Sequence, residues 1–187
     1  MNKLTFKELP KSPVETLKQC GLVTSLQDLI TERYYHFDFD VFLKTKGFNL
    51  QRDYCWTDQQ AAEFIMSVLL EKPIPPVYFN LRIDDDIAEC IDGKQRILSL
   101  VRFYNNQFPI TVNDKQYKFC DMEENMQIRL KLYYIDGYMH YQRNNDPSSI
   151  LTDDKKIAWF LFINNTSVPQ NANHIQRLIE CLVQSKS

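Results

Sequence analysis

The chain has 187 residues, 44% of them hydrophobic and 13% aromatic, which is enough to close a core and argues against a disordered segment. Its formal net charge of -2 argues against a dedicated DNA-coating protein, which would need an overall cationic field, but leaves room for a local basic patch. Five widely spaced cysteines (Cys20, Cys55, Cys90, Cys120, Cys181) and three scattered histidines (His36, His140, His174) speak against a disulfide framework or a zinc cluster. Neither a signal-peptide core nor an apolar run of membrane-span length is present, so a cytoplasmic chain with no membrane partner is expected.

In chain order, a short helix is predicted over 14–20, with Gly21 as its C′ residue. Thr24 or Ser25 can cap a second short helix through Leu26, Leu29 and Ile30. Alternation of Tyr35, Phe37, Phe39 and Val41 predicts a strand within 34–41. Thr57 and Gln60 form a capping box ahead of Ala61, Phe64, Ile65, Val68 and Leu69, which recur at helical spacing. Pro73, Pro75 and Pro76 end that helix, because each lacks an amide donor.

Strands follow at 77–81 and 87–91, joined by a turn at Asp84-Asp85-Asp86, and Asp92 can cap a long helix through Ile97, Leu98, Leu100, Val101 and Tyr104. Asn113-Asp114 suits a hairpin turn between strands at 110–112 and 117–119. Helices are expected near 122–130, 153–163 and 171–184, a strand at 131–135 and a polar mobile loop at 138–152. No repeat or low-complexity linker divides the chain. The expected architecture is one α+β domain, a small mixed sheet with flanking helices and a helical C-terminal part, its core spanning about 24–184.

The segment with the most chemistry is Ile91-Asp92-Gly93-Lys94-Gln95-Arg96, where a strand passes directly into a helix. The first amides of a helix have no internal acceptors and carry partial positive charge, so such an end attracts phosphate. Gly93 permits close approach to the backbone, while Lys94 and Arg96 add positive charge, Arg96 with a fork that fits two phosphate oxygens. Asp92 can hold Mg²⁺, receive a proton or merely cap the helix. The same letters also suit an ordinary cap followed by a solvated first turn. Two further polar clusters are Asn49-Leu50-Gln51-Arg52-Asp53-Tyr54, readable as a structural ion pair or a second phosphate or base contact, and Asn164-Asn165-Thr166-Ser167-Val168-Pro169, readable as a plain connection.

Taken in order, Gln51-Arg52, Trp56, Pro73-Ile74-Pro75-Pro76, Ile91–Arg96 and the Asn164-Asn165 loop resemble the DGQQR-motif domain found at the N-terminus of GmrSD-type modification-dependent restriction enzymes. That domain belongs to the ParB/sulfiredoxin-like superfamily, and the resemblance spans about 26–182. It implies a nucleoside triphosphate pocket in which Asp92 and Arg96 act in catalysis. Gln51, Arg52, Gly93, Lys94, Gln95, Asn164 and Asn165 would bind the nucleotide.

It also implies NTP hydrolysis that regulates DNA cleavage, with DNA or a nuclease as partner. Lys94 departs from the motif's first glutamine, and Thr166-Ser167 stands where glycines are common. The sequence ends at Ser187 without an HNH-type segment, so cleavage by this chain alone is not expected. Other expectations compatible with the pocket are a ParB-like kinase, with an acceptor hydroxyl in place of water, and a non-catalytic binding or inhibitor module. Direct DNA contact would fall to Lys44, Lys46 and Arg52.

Overall fold

A computed structural model describes residues 19–164 and 172–184. Its centre is a mixed five-stranded sheet in the order β1-β9-β5-β6-β2. The strands are β1 (Gln19–Ser25), β2 (His36–Asp38), β5 (Val77–Arg82), β6 (Ile87–Asp92) and β9 (Tyr134–Gln142). β1 runs antiparallel to β9 and β5 antiparallel to β6, whereas β5–β9 and β6–β2 are parallel. Two small hairpins lie outside the sheet, β3 (Phe42–Leu43) with β4 (Phe48–Asn49) and β7 (Ile110–Val112) with β8 (Lys115–Tyr117).

One face of the sheet carries α1 (Leu26–Thr31), α2 (Asp58–Leu69), α3 (Lys94–Tyr104) and α4 (Glu124–Lys131). Phe79, Leu81, Ala88 and Cys90 from the strands meet Ala61, Ile65, Ile97, Leu100 and Phe103 from the helices. The other face is covered by α5 (Asp153–Asn164) and α6 (Ala172–Gln184), where Trp159, Phe160, Ile91 and Leu178 are buried.

Local chemistry explains the starts of α1 and α2. Ser25 and Thr57 both close complete capping boxes, with Asp28 and Gln60 as the returning residues. Asn113 and Asp114 both take positive φ, as a two-residue hairpin turn with the right twist requires. The expected α+β layout and the helices near 122–130, 153–163 and 171–184 agree with the structure.

Several expectations need correction. Gln19, Cys20 and Gly21 lie in β1, not in a helix and its C′ position; the rest of that expected helix lies outside the described residues. The strand expected over 34–41 shrinks to His36–Asp38, since only these residues pair with β6. The second hairpin strand ends at Tyr117, and Phe119–Asp121 form a 3-10 turn. α4 continues through Lys131, so the next strand starts only at Tyr134.

That strand, β9, runs to Gln142 through the first part of the expected mobile loop, between β1 and β5. Two of its polar residues find partners inside the fold. Gln142 Oε1 accepts from Leu151 N at 3.0 Å and from Asn80 Nδ2 at 3.2 Å, and His140 Nε2 donates to Ser149 O at 2.8 Å. Burying polar groups is tolerable only with such partners.

β5 and β9 approach so closely at Gly137 that an added Cβ would stand 2.7 Å from the Val77 carbonyl oxygen. Backbone in two paired interior strands has little room to yield. Gly137→Ala is therefore expected to cost about 1–3 kcal/mol, as overpacking does, read as a lower urea midpoint. A midpoint equal to wild type would contradict this packing.

Candidate functional site

The site begins with a slip in register. Phe79 pairs with Cys90, but Tyr78 pairs with Asp92, so Ile91 is an extra residue on β6. A bulge of this kind re-aims the side chains beyond it. Strict alternation from Cys90 would put Asp92 on the α2/α3 face; instead its carboxylate accepts a hydrogen bond from the Asn164 side chain at the end of α5.

Asp92 does not cap α3; that position is Gly93, which caps through no side chain. The Asp92 carboxylate instead accepts the Gly93 amide and pairs with Arg96 one turn on, Nη2 to Oδ2 at 2.7 Å. Arg96 reaches a second acceptor through Nη1, the carbonyl oxygen of Pro75. The pair is largely sheltered, with side-chain exposures of 14% and 12%. Burial raises the Asp92 pKa above the ordinary carboxylate value, outweighing the opposing pull of Arg96, Asn164 and the Gly93 amide.

Arg96 also lines a cleft of about 230 Å³. Phe64, Val77, Ile97 and Leu100 contribute apolar wall, Lys72 a second cation, and Tyr133 and Asp136 polar groups. Burial, and then the nearby Asp136, push the Tyr133 hydroxyl pKa up.

The remaining motif residues bind the fold to itself. Gly93 has φ +113°, and a Cβ there would stand 2.6 Å from Val77 Cγ1, so its missing side chain accommodates β5. Lys94 is buried and its Nζ lies 2.5 Å from Asp40 Oδ1. Gln95 holds the segment before α2: its Oε1 accepts from the amides of Cys55 and Trp56, and its Nε2 donates to Asp53 O. Gln51 donates from Nε2 to Cys90 O at 2.8 Å. Arg52 is half-buried and makes no hydrogen bond or ion pair with another described residue.

The structure thus brings Gln51, Asp92–Arg96 and Asn164 to one end of the sheet, and His174 of α6 bonds Leu50 O at 2.9 Å beside them. Asn165 lies outside the described residues. Lys46, expected in a DNA patch, is 2.8 Å from Asp154 Oδ1.

Sequence reasoning missed Tyr78 and Tyr138. Tyr78 sits between Asp92 and Tyr138 on neighbouring strands, and its ring stacks on Tyr138 at 5.3 Å and 21°. Burial raises the Tyr78 hydroxyl pKa, Tyr138 and Asp92 adding to it against Arg96. An apolar-polar alternation in β9 could have located Tyr138, but the polar letters around it resemble a loop.

Among the described residues no group of three or more His, Cys, Asp or Glu side chains could hold a metal ion, and no helix is long and apolar enough to cross a membrane.

These features define an α+β domain with a buried acid–arginine pair at a strand-to-helix junction, opening on a cleft. The family model described as GmrSD restriction endonuclease, N-terminal domain, matches residues 49–187, and the chain belongs to that family. No curated protein and no solved structure matches.

Two outcomes follow from the site's electrostatics. Folding raises the Asp92 pKa above its unfolded value, so ionising this carboxyl costs stability as pH rises through the folded pKa. Arg96→Leu removes the compensating cation and is expected to destabilise by about 3 kcal/mol at pH 7. The loss should be clearly smaller near pH 4; equal losses in denaturant melts at both pH values would contradict the pairing. Burial pushes the Cys90 thiol up to about 12, whereas Cys55 and Cys120 are exposed. At pH 8 a thiol reagent should therefore label Cys55 and Cys120 in the native protein and Cys90 only after unfolding.

Proposed function

We propose that this domain binds a nucleoside triphosphate at the Asp92–Arg96 junction and hydrolyses it to regulate a restriction system. The observation that carries the reading is Arg96, held by Asp92 and the Pro75 carbonyl at the wall of a cleft that Lys72 also lines. Two cations on the wall of one cleft suit a polyanion better than any neutral ligand. The family membership supports the restriction setting, in which a nuclease and its DNA would be the downstream partners.

In the proposed reaction, water attacks the terminal phosphorus, a P–O bond forms, and the bond to the bridging oxygen breaks to leave diphosphate nucleotide and phosphate. Arg96 would leave part of its contact with Asp92 to neutralise charge on the transferred group. Asp92, freed to that extent and made more basic by burial, would take the proton from the attacking water. Asp92 is a single carboxylate, so Mg²⁺ would enter with the phosphates, which supply most of its ligands in sites of this kind. The saturation of Asp92 by three donors also supports a second reading, tight binding without turnover.

The test combines thermal shift with phosphate release for the four common NTPs, with and without Mg²⁺. Ligand at a hundredfold over its Kd should stabilise by about 2.7 kcal/mol. Arg96→Ala should abolish both the shift and the release. A shift without release would favour the binding reading, and no shift with any nucleotide would sink the proposal.

A further inference from the structure

Val77, on the wall of the Arg96 cleft, draws two distant glycines to one point. A Cβ at Gly93 would stand 2.6 Å from its Cγ1, and a Cβ at Gly137 2.9 Å from its Cγ2. Gly93 opens α3 and Gly137 lies near the start of β9. Residues beside each glycine therefore reach the same cleft, Arg96 from one side and Asp136 from the other.

Among the described residues that line this cleft, Asp136 alone is acidic. It is exposed, and its carboxylate makes no hydrogen bond or ion pair with another described residue, although Arg96 and Lys72 line the same cleft. Its charge also helps to keep the neighbouring Tyr133 hydroxyl protonated. An unpaired carboxylate on the wall of a polyanion cleft repels phosphate groups that arrive alone. With a divalent cation between them the same carboxylate becomes attractive.

Asp92 is poorly placed to hold such a cation. It is sheltered and already accepts from Arg96, Asn164 and the Gly93 amide. Magnesium gives up its water reluctantly, and it commonly takes one or two carboxylates together with substrate phosphates. An exposed carboxylate leaves room for the waters that such an ion keeps. One protein ligand then suffices, in accord with the lack of any larger ligand group among the described residues.

We infer that Asp136 is the protein ligand of the Mg²⁺ that accompanies the triphosphate, while Arg96 and Lys72 contact the phosphates. The inference rests on the nucleotide reading above and adds how the cation is held.

The test measures equilibrium binding of ATP, GTP and inorganic triphosphate to the full chain, each with Mg²⁺ and with EDTA. In EDTA, Asp136→Asn removes a repelling charge and is expected to bind all three about threefold more tightly than wild type. With Mg²⁺ the same variant is expected to bind all three about tenfold more weakly than wild type. Asp136→Glu keeps the carboxylate and should retain most of the gain that Mg²⁺ gives. A residue that only braces the fold would move both conditions the same way.

Wild-type affinities in Asp136→Asn under both conditions would overturn the cation site and leave the triphosphate site standing. Losses of equal size with and without metal would overturn it too. A loss confined to GTP would assign the carboxylate to a base and overturn the assignment to the cation. Binding of none of the three by wild type under either condition would remove the underlying site, and the cation site with it.

Discussion

The site depends on one ion pair buried at a slipped strand register. Asp92 and Arg96 lie one helical turn apart in sequence, and the extra residue Ile91 just before the acid shifts the register at which it leaves the strand. Taking a carboxylate and a guanidinium out of water is costly, and their mutual attraction offsets that cost only when the remaining donors and acceptors are also satisfied. Here Gly93 and Asn164 supply donors to the acid, and Pro75 supplies an acceptor to the cation. Three segments far apart in the chain must therefore be in place together. The pair acts as a test of correct assembly as much as a source of stability.

Around that pair the motif divides its labour. Gln51 and Gln95 use their amides to tie loops to the backbone of β6 and to the start of α2. Lys94 is turned to Asp40, on the loop after β2, and Gly93 makes room for Val77. Arg96 combines an ion pair with a place on the cleft wall. A run of polar letters that suggests a uniform ligand cradle thus contains mostly internal braces and one outward cation.

The opposite half of the same sheet face reaches the site indirectly. Lys156 of α5 is buried against Glu89, Nζ to Oε1 at 2.8 Å, and Asn80 Nδ2 donates to Glu89 Oε2 at 2.8 Å. A buried charge pair of this kind fixes where a helix can sit, because any shift would strand a charge in a poorly hydrated space. It sets the placement of α5, whose last residue, Asn164, bonds Asp92. The polar network and the candidate site are two ends of one packed layer.

What the amino-acid order determined by itself was local. The Ser25 and Thr57 caps, the helical spacing of α2 and α3, the Asn113-Asp114 turn and the strand-to-helix passage at Asp92–Arg96 all arise from interactions within a few residues. Membership of the motif family was legible from the order of short motifs for the same reason. Tertiary structure alone decided the rest: that 19–25 and 134–142 pair as strands, which way Asp92 faces, that Lys94 is buried, and that Tyr138 stands in line with the acid. Strand pairing and the burial of polar groups depend on partners a hundred residues away. No window along the chain contains the hydrogen bonds that make a polar strand such as β9 stable inside a sheet.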